Sequence, residues 1–283
     1  MSTFKTLAAF LAVSALSGCA TSTTPMEYMN NHSEAYNIAH AGGLVTDIKD
    51  TYVPADSVGS ITESMLNLGF VAGGYGSPQL GMTNWQTAGV HLLGNLLEPD
   101  SHGARNSLIA WMPASDASSA EEAQEKFLSH VKVSIEKVMV ELGLKHETIY
   151  DQNGKLSIYF IKDEWNCPEY SHGITDISDL CEVSVETYEP YKAISPSFIS
   201  GIESESYIFS PNDGRDFHNL NLITNKKSSV PEDEIYTSIS EELSSWTYIY
   251  IAPKKVKMKN GETINYPYIL NKGQKKLFIT PKK

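Results

Sequence analysis

The sequence has few cysteines, no long apolar run and none of the common catalytic signatures. Three cysteines in 283 residues are too few for a small disulfide-rich secreted fold. No apolar stretch approaches the roughly 20 residues that a membrane-spanning helix needs. No G-x-S-x-G, H-E-x-x-H or Walker motif is present, and no G-x-G-x-x-G stands in a strand–turn–helix context. We therefore expect no cofactor, no bound metal and no assignable catalytic residue.

Basic residues are also scarce. The chain has 22 Lys and Arg against 34 Asp and Glu, which gives a net charge of −12 at pH 7. Such an acidic balance argues against nucleic acid as the main partner. The distribution is uneven, because residues 254–283 contain nine Lys and a single acid, Glu262. Two interpretations stay open: lysines that protect exposed strand edges from aggregation, or a surface for an anionic partner or lipid headgroups.

The first 18 residues have the layout of an export signal. Lys5 supplies a positive start, Leu7 to Leu16 form an apolar core of about ten residues, and Ser17 and Gly18 are small. The apolar core is too short to cross a bilayer as a helix. Ala15-Leu16-Ser17 is a poor cleavage site of the ordinary Ala-x-Ala kind.

The four residues Leu16-Ser17-Gly18-Cys19 stand at the end of this signal. They resemble the lipobox of bacterial lipoproteins. The resemblance implies that the sulfur of Cys19 receives a diacylglyceryl group and that the signal is removed before it. Two or more acyl chains anchor stably, at about 0.8 kcal/mol per buried methylene. Ala20, where an Asp would retain a lipoprotein in the inner membrane, implies the outer membrane. The resemblance covers some twenty residues and identifies no family for the mature chain.

Removal of Lys5 with the signal takes the net charge from −12 to −13 and leaves two cysteines, Cys167 and Cys181. In an oxidising export compartment such a pair indicates a disulfide. Closing this short loop would stabilise the fold by roughly 3 kcal/mol. The alternative is a zinc pair, since His172, Asp176 and Asp179 lie between the cysteines. The spacing lacks the close C-x2–4-C typical of structural zinc sites, so we favour the disulfide.

The mature chain divides into three segments by composition. Residues 19–34 are polar and rich in Thr, Ser and Asn, which predicts a lipidated, flexible tether. Residues 35–105 form a Gly-rich helical region with two short amphipathic stretches, ITESMLNLGFVA and NWQTAGVHLLGNLLEP. Gly69, Gly89 and Gly94 would allow close helix–helix approach, either within the chain or with a partner or second copy. We expect an association surface here.

Residues 106–283 alternate between strand and helix patterns. SLIAWMP, from Ser107 to Pro113, predicts an apolar strand, and Ser118 and Ser119 followed by Glu121 and Glu122 predict a helix start. The following apolar stripe predicts one face of a helix that Gly143 ends. The stripe comprises Phe127, Leu128, Val131, Ile135, Val138, Met139 and Leu142.

Several hairpins are predicted in the same segment. Asn153-Gly154 predicts a tight turn, EVSVETYEP a further strand, and NYPYILNKGQKKLFITP a closing hairpin. Ser229 with Glu232 predicts the capped start of a second helix. We therefore expect an α+β fold: a mostly antiparallel sheet with helices on one face, preceded by the Gly-rich helical region. Ser195 to Ser229 is expected to be mostly irregular, and so long a segment is often functional.

Two short stretches are weak candidates for a site. SPNDGRDFHN gathers Asp213, Asp216 and His218, which could hold a cation or share a proton. EPDSHGARN places His102 and Arg105 before the first strand, where they could bind an anion. Asn-Asp-Gly is also a simple turn signal, and Asp beside Arg is also a simple surface pair.

The sequence is interpreted as a non-enzymatic lipoprotein on the periplasmic side of the outer membrane, acting as a structural or accessory part of an envelope assembly. Its expected partners are the membrane, through the lipid on Cys19, and a protein or second copy, through the Gly-rich helical region. The alternatives are a lipid-anchored periplasmic hydrolase that uses the His102 or His218 segment, and a ligand-binding lipoprotein with a deep apolar pocket.

Overall fold

A computed structural model describes residues 25–44, 48–53, 105–150, 155–169, 180–210, 218–225, 227–258, 261–265 and 267–281. The four α-helices within these ranges are α1 (Glu34–Ala41), α2 (Ala120–Glu141), α3 (Ser197–Ser200) and α4 (Glu232–Glu242). No helix in the described ranges is both long and apolar enough to cross a membrane.

The strands of the described residues follow in chain order. They are β1 (Thr51–Val53), β2 (Ser107–Pro113), β3 (Lys145–Tyr150), β4 (Leu156–Ile161), β5 (Glu182–Glu186), β6 (Tyr191–Ser195), β7 (Ser204–Phe209), β8 (Asn219–Ile223), β9 (Thr247–Ile251), β10 (Lys254–Met258), β11 (Gly261–Asn265), β12 (Tyr268–Asn271), β13 (Gln274–Leu277) and β14 (Ile279–Pro281).

Ten of the strands form one sheet in the order β13-β12-β9-β2-β8-β5-β4-β3, with β7 also paired to β2 and β6 to β7. Every pairing in this sheet is antiparallel. β10 and β11 form a separate antiparallel hairpin, and β1 pairs in parallel with β14. The predicted α+β fold with a mostly antiparallel sheet is confirmed.

Strand β2 lies in the middle of the sheet and is buried on both faces. Leu108, Ala110 and Met112 point to the face that α2 and α4 cover, while Ile109 and Trp111 point to the opposite face. This alternation follows from the two-residue period of a strand. The larger core therefore lies between the sheet and α2 and α4, where the apolar stripe of α2 is buried as predicted.

The start of α2 is the clearest agreement between sequence and structure. The hydroxyl of Ser119 accepts the backbone N–H of Glu122 at 3.1 Å, and the Glu122 carboxylate accepts the backbone N–H of Ser118 at 2.7 Å. This reciprocal capping satisfies donors that a helix start leaves unpaired. Gly143 follows the helix with a φ of 66°, in the left-handed region that favours glycine.

The start of α4 differs from the expectation. The N-cap residue is Pro231, which makes no side-chain capping bond, and Ser229 is not the cap. Ser229 instead donates its backbone N–H to the carbonyl of Trp165 at 3.0 Å and its hydroxyl to that of Glu164 at 3.3 Å. Tertiary contacts with the turn after β4 therefore outweigh the local capping signal at Ser229.

The opposite face of the sheet carries α1 and a second, smaller core. Ile38 and Ala39 of α1 belong to one buried cluster with Trp111 of β2, Tyr248 of β9 and Ile269 of β12. Gly42 closes this helix in tight contact, because a Cβ atom at that position would overlap the Cγ2 methyl of Ile109. Residues 35–44, at the start of the segment predicted to be the Gly-rich helical region, thus contribute to the core of the body. Both amphipathic stretches of that region lie outside the described residues.

The interval from Ser195 to Ser229 is more regular than expected. It contains α3, β7 and β8, and both strands are internal to the ten-stranded sheet. β7 pairs with β2 and β6, and β8 pairs with β5 along its whole length. The expectation of a mostly irregular segment is wrong, because β7 and β8 each pair with a strand that is distant in the sequence, β2 and β5 respectively.

Candidate functional site

The predicted site residue His218 lies immediately before β8 and is buried, with only 3% of its surface exposed. Its Nδ1 accepts the backbone N–H of Tyr188 at 3.2 Å, and the ring makes edge contacts with Tyr188 and Phe209. Burial lowers the pKa of His218 to about 4. The imidazole is therefore neutral at pH 7 and joins the β5–β6 connection to the start of β8, which is a structural role.

The carboxylates expected beside this histidine, Asp213 and Asp216, lie outside the described residues, as does His102. Both proposed groupings therefore stay predictions. Arg105 is described and exposed, just before β2. It lines the rim of a groove, where it has interactions of its own.

This groove exists because β8 extends past the beginning of β2. Ser107, the first residue of β2, pairs with Asn219, so the rest of β8 runs on beyond the paired position. The resulting space has a volume of about 470 Å³. Its lining residues are Arg105, Asn106, Asn219, Asn221, Leu222, Ile223, Ala252 and Pro253.

Beyond the start of β2, a side-chain hydroxyl and a side-chain amide take the place of a paired strand along this edge of β8. The Tyr236 hydroxyl of α4 accepts the backbone N–H of Leu222 at 2.7 Å and donates to the carbonyl of Leu220 at 3.4 Å. Asn106 donates its amide to that hydroxyl at 2.9 Å, while its Oδ1 accepts the backbone N–H of Ala252 at 2.8 Å. Burial raises the pKa of Tyr236. The floor of the groove is thus a network of neutral groups joined by hydrogen bonds, and this network separates β8 from β9.

The groove offers polar recognition but little reactivity. Its polar side chains are one guanidinium and three carboxamides, none of which acts as a general base or nucleophile at neutral pH. One acceptor, Oδ1 of Asn219, is buried without a hydrogen-bond partner in the described part of the chain. The lining is too polar for the deep apolar pocket that a ligand-binding lipoprotein was expected to have.

A second polar cluster fixes the N-terminal segment to the body. The carboxylate of Asp50 is fully buried, with 0% side-chain exposure. It accepts the backbone N–H of Ser33 at 2.9 Å, the Ser33 hydroxyl at 2.5 Å, and a hydrogen bond from Nδ1 of His32 at 3.0 Å. The Ser33 hydroxyl in turn accepts the backbone N–H of Tyr36 and caps α1. His32 stacks on the Tyr36 ring with 4.0 Å between centroids.

The same segment is bonded further upstream. The backbone N–H of Met29 donates to Oδ1 of Asn37 at 2.7 Å, and the amide of Asn37 donates back to the Met29 carbonyl at 3.1 Å. Asn37 is itself fully buried on α1. Part of the predicted flexible tether, residues 19–34, is therefore bonded to α1 and the body.

The disulfide predicted from the cysteine count joins Cys167 to Cys181, with 5.4 Å between the Cα atoms. Both residues are buried in the larger core, just after β4 and just before β5. The proposed zinc ligands His172, Asp176 and Asp179 lie outside the described residues. Within the described ranges, no group of three or more His, Cys, Asp or Glu side chains could hold a metal ion.

The described histidines all have structural partners. The backbone N–H and hydroxyl of Ser244 both approach Nε2 of His130, at 3.1 and 2.9 Å, next to the end of α4. The rings of His40 and His146 approach Sδ of Met26 and the carbonyl of Leu144, respectively. A backbone N–H that occupies Nε2 is a structural use of the ring, and it differs from a base that activates a serine.

Comparison of the chain with protein-family models, curated proteins and solved structures finds no match.

Sequence reasoning missed the Asp50 cluster, although part of its signal is visible. His32-Ser33-Glu34 is a recognisable helix start, with a cap residue followed by an acid in the first turn. The partner, Asp50, lies 17 residues away from Ser33. A pairing over that separation has no local sequence signature, and it emerges only when α1 packs on the sheet.

Proposed function

We propose that the chain is a lipoprotein held at the periplasmic face of the outer membrane through acyl chains on Cys19, and that its body is a structural or accessory component of an envelope assembly. The observation that carries this proposal is the stretch Leu16-Ser17-Gly18-Cys19 at the end of a short apolar signal. Ala20 supports the outer membrane over the inner membrane. The Cys167–Cys181 disulfide supports an oxidising compartment.

The firm connection between the N-terminal segment and the body supports an anchoring role. Met29 is hydrogen-bonded to Asn37 of α1, and Asp50 accepts a backbone N–H from the same N-terminal segment. The segment that follows the lipid anchor is therefore joined to the body. A buried, bonded carboxylate at this junction holds the segment in one arrangement. The body is thereby kept within a short tether length of the membrane, where an assembly partner would meet it.

The structural uses of the described histidines support a non-catalytic body. His218 is shielded and neutral, and His130 accepts a backbone N–H. The hydrolase alternative would need a base in an accessible cleft next to a nucleophile. The groove beside Arg105 contains no such base.

The test is fractionation of cells that produce the full chain and two matched pairs of variants. Cys19→Ser should leave the signal uncut or release the protein from the membrane, whereas Cys167→Ser with Cys181→Ser should leave its membrane location unchanged. Ala20→Asp should move the protein from the outer-membrane to the inner-membrane fraction, and Ala20→Ser should not. A Cys19→Ser protein that still floats with outer membrane after signal cleavage would overturn the proposal.

A further inference from the structure

An apolar tip lies at one end of the sheet, in the connection between β6 and β7. The tip comprises Phe198 and Ile202 of this connection together with Tyr28 of the N-terminal segment. The Tyr28 and Phe198 rings meet edge to face, with 5.4 Å between centroids and 75° between planes. Ile202 is 70% exposed, the highest value among the large apolar side chains of the described residues.

Hydrogen bonds and a glycine turn define the connection that carries the tip. The hydroxyl of Ser195 donates to the carbonyl of Ser204 at 3.1 Å, across the base of the connection. The hydroxyl of Ser200 donates to the carbonyl of Ile202 at 2.6 Å. Gly201, with a φ of 82°, turns the chain at the point that leaves Ile202 outward.

The neighbouring residue Ile199 differs from Ile202 in burial. Ile199 packs against the smaller core, whereas Ile202 at the end of the same connection has nothing to cover it. A single exposed apolar side chain is ordinary on a protein surface. Here, however, Ile202 lies four residues after Phe198 in the same connection, and the Phe198 ring contacts Tyr28 of the N-terminal segment.

The sequence position of Tyr28 limits how far the tip can lie from the proposed lipid anchor. Tyr28 lies nine residues after Cys19. Nine residues span at most about 30 Å when fully extended. An acyl group on Cys19 would therefore keep Tyr28 and its neighbours within about 30 Å of the bilayer surface, a range that includes direct contact. Aromatic and large aliphatic side chains are favoured at that surface, where an apolar body can enter the acyl boundary.

The flanking charges are acidic. Glu27 and Glu203 are next to Tyr28 and Ile202 in the sequence, and both are exposed. Lys192, the nearest lysine along β6, pairs with Glu205 at 3.1 Å. Attraction to anionic headgroups therefore has no basis at this tip, and any contact with lipid depends on its apolar side chains.

We propose that the tip formed by Tyr28, Phe198 and Ile202 inserts into the membrane surface that holds the lipid anchor and so fixes the orientation of the body. This inference rests on the proposed acylation of Cys19. It assigns a lipid-contact site to residues that are separated by about 170 positions in the sequence and joined only by the fold.

The experiment places a nitroxide label at position 202 through Ile202→Cys, in acylated full-length protein reconstituted into phosphatidylcholine–phosphatidylethanolamine vesicles. Cys167 and Cys181 are bonded to each other, so the introduced thiol is the one that reacts. The matched control is Val140→Cys on α2, where the native side chain is 68% exposed. Relaxation by oxygen, which partitions into the bilayer, is compared with relaxation by a water-soluble nickel chelate.

The inference predicts an oxygen-to-nickel ratio several-fold higher at position 202 than at position 140. Equal, water-like ratios at the two positions in acylated, vesicle-bound protein would overturn the inference alone. A label at 202 shielded from both reagents, with crosslinks between copies, would show a protein partner on the tip and would also overturn it. Absence of acyl mass on Cys19 would overturn both this inference and the proposed function.

Discussion

At the scale of single residues, His218 shows how a side chain that suggests chemistry can be structural. Its sequence neighbourhood contains acids, yet the ring is enclosed by Phe209 and Tyr188 and accepts a backbone N–H. The protonated form of the ring is disfavoured in this environment, because burial lowers the pKa of His218 to about 4. The consequence is a pH-dependent contribution to stability.

His218→Asn should remove that contribution while an amide oxygen preserves an acceptor for Tyr188. The folded-state pKa of about 4 lies below the ordinary histidine value of 6.5, so protonation favours the unfolded chain. The stabilisation is therefore complete above the unfolded-state pKa and is lost as the pH falls toward the folded-state pKa. The loss amounts to roughly 3 kcal/mol at most.

Urea unfolding of both proteins at pH 7 and pH 4.5 measures the effect. The free energy of unfolding should fall more steeply in the wild type than in His218→Asn over this interval, although the variant should be the less stable protein at pH 7. An identical fall in the two proteins would contradict the structural role of the neutral ring.

Which residues bear chemistry could be predicted from the sequence only in part. The pairing of Cys167 with Cys181 follows from cysteine number and compartment, and the structure confirms it. The burial of His218 could not be predicted, because it depends on how the chain before β6 folds against the start of β8. Asp50 gave no signal, since its partner Ser33 is distant in sequence.

At the scale of elements, the sequence predicts best where the signals are local. The α2 cap and the hairpins β3–β4 and β12–β13 follow from residues next to one another. β7 and β8 are missed because part of their pairing, to β2 and to β5, is non-local. The pattern Asn-Leu-Asn-Leu-Ile of β8 does alternate, with Leu220 and Leu222 facing the larger core.

The disulfide acts at this scale by tying the end of β4 to the start of β5. Replacing Cys167 and Cys181 together by Ala should lower the free energy of unfolding by about 3 kcal/mol, since the loop that opens is short. Chemical denaturation of the variant and of the oxidised wild type measures the difference. Thiol reagents should not label the wild-type protein until it is reduced.

Counting the free thiols in protein purified from the export compartment tests the disulfide in a second way. Two reactive thiols, with stability unchanged in the alanine variant, would contradict the disulfide assignment. Restored protection of those thiols by added zinc would then support the metal alternative.

At the scale of the whole molecule, the lysine-rich C-terminal end has two parts. On β12–β13, Lys275 pairs with Asp233 at 2.5 Å and Lys276 with Glu34 at 2.9 Å, while Lys272 donates to the carbonyls of Glu241 and Leu243 at the end of α4. These three lysines therefore bind acceptors on α1 and α4 of the same chain. Four of the nine lysines counted from the sequence lie on the β10–β11 hairpin or one residue beyond its strands. This hairpin follows the end of β9 that lies opposite the turn between β12 and β13.

The Gly-rich helical region remains a prediction at this scale. If it is an association surface, Gly89→Leu and Gly94→Leu should leave the melting temperature of the body unchanged and reduce the crosslinked mass of the protein, because close helix approach would be blocked. If the region packs on the body, overpacking should lower stability by roughly 1–3 kcal/mol per substitution. A lowered melting temperature with unchanged crosslinking would refute the association surface.

The mass of the N-terminal peptide, measured on protein extracted from membranes, tests the central claim most directly. The account predicts a peptide that begins at Cys19 and carries a diacylglyceryl group on its sulfur, with no residue of the 1–18 signal remaining. A mature peptide that begins at Ala20 or further along the chain, or that begins at Cys19 with an unmodified thiol, would contradict the lipid anchor.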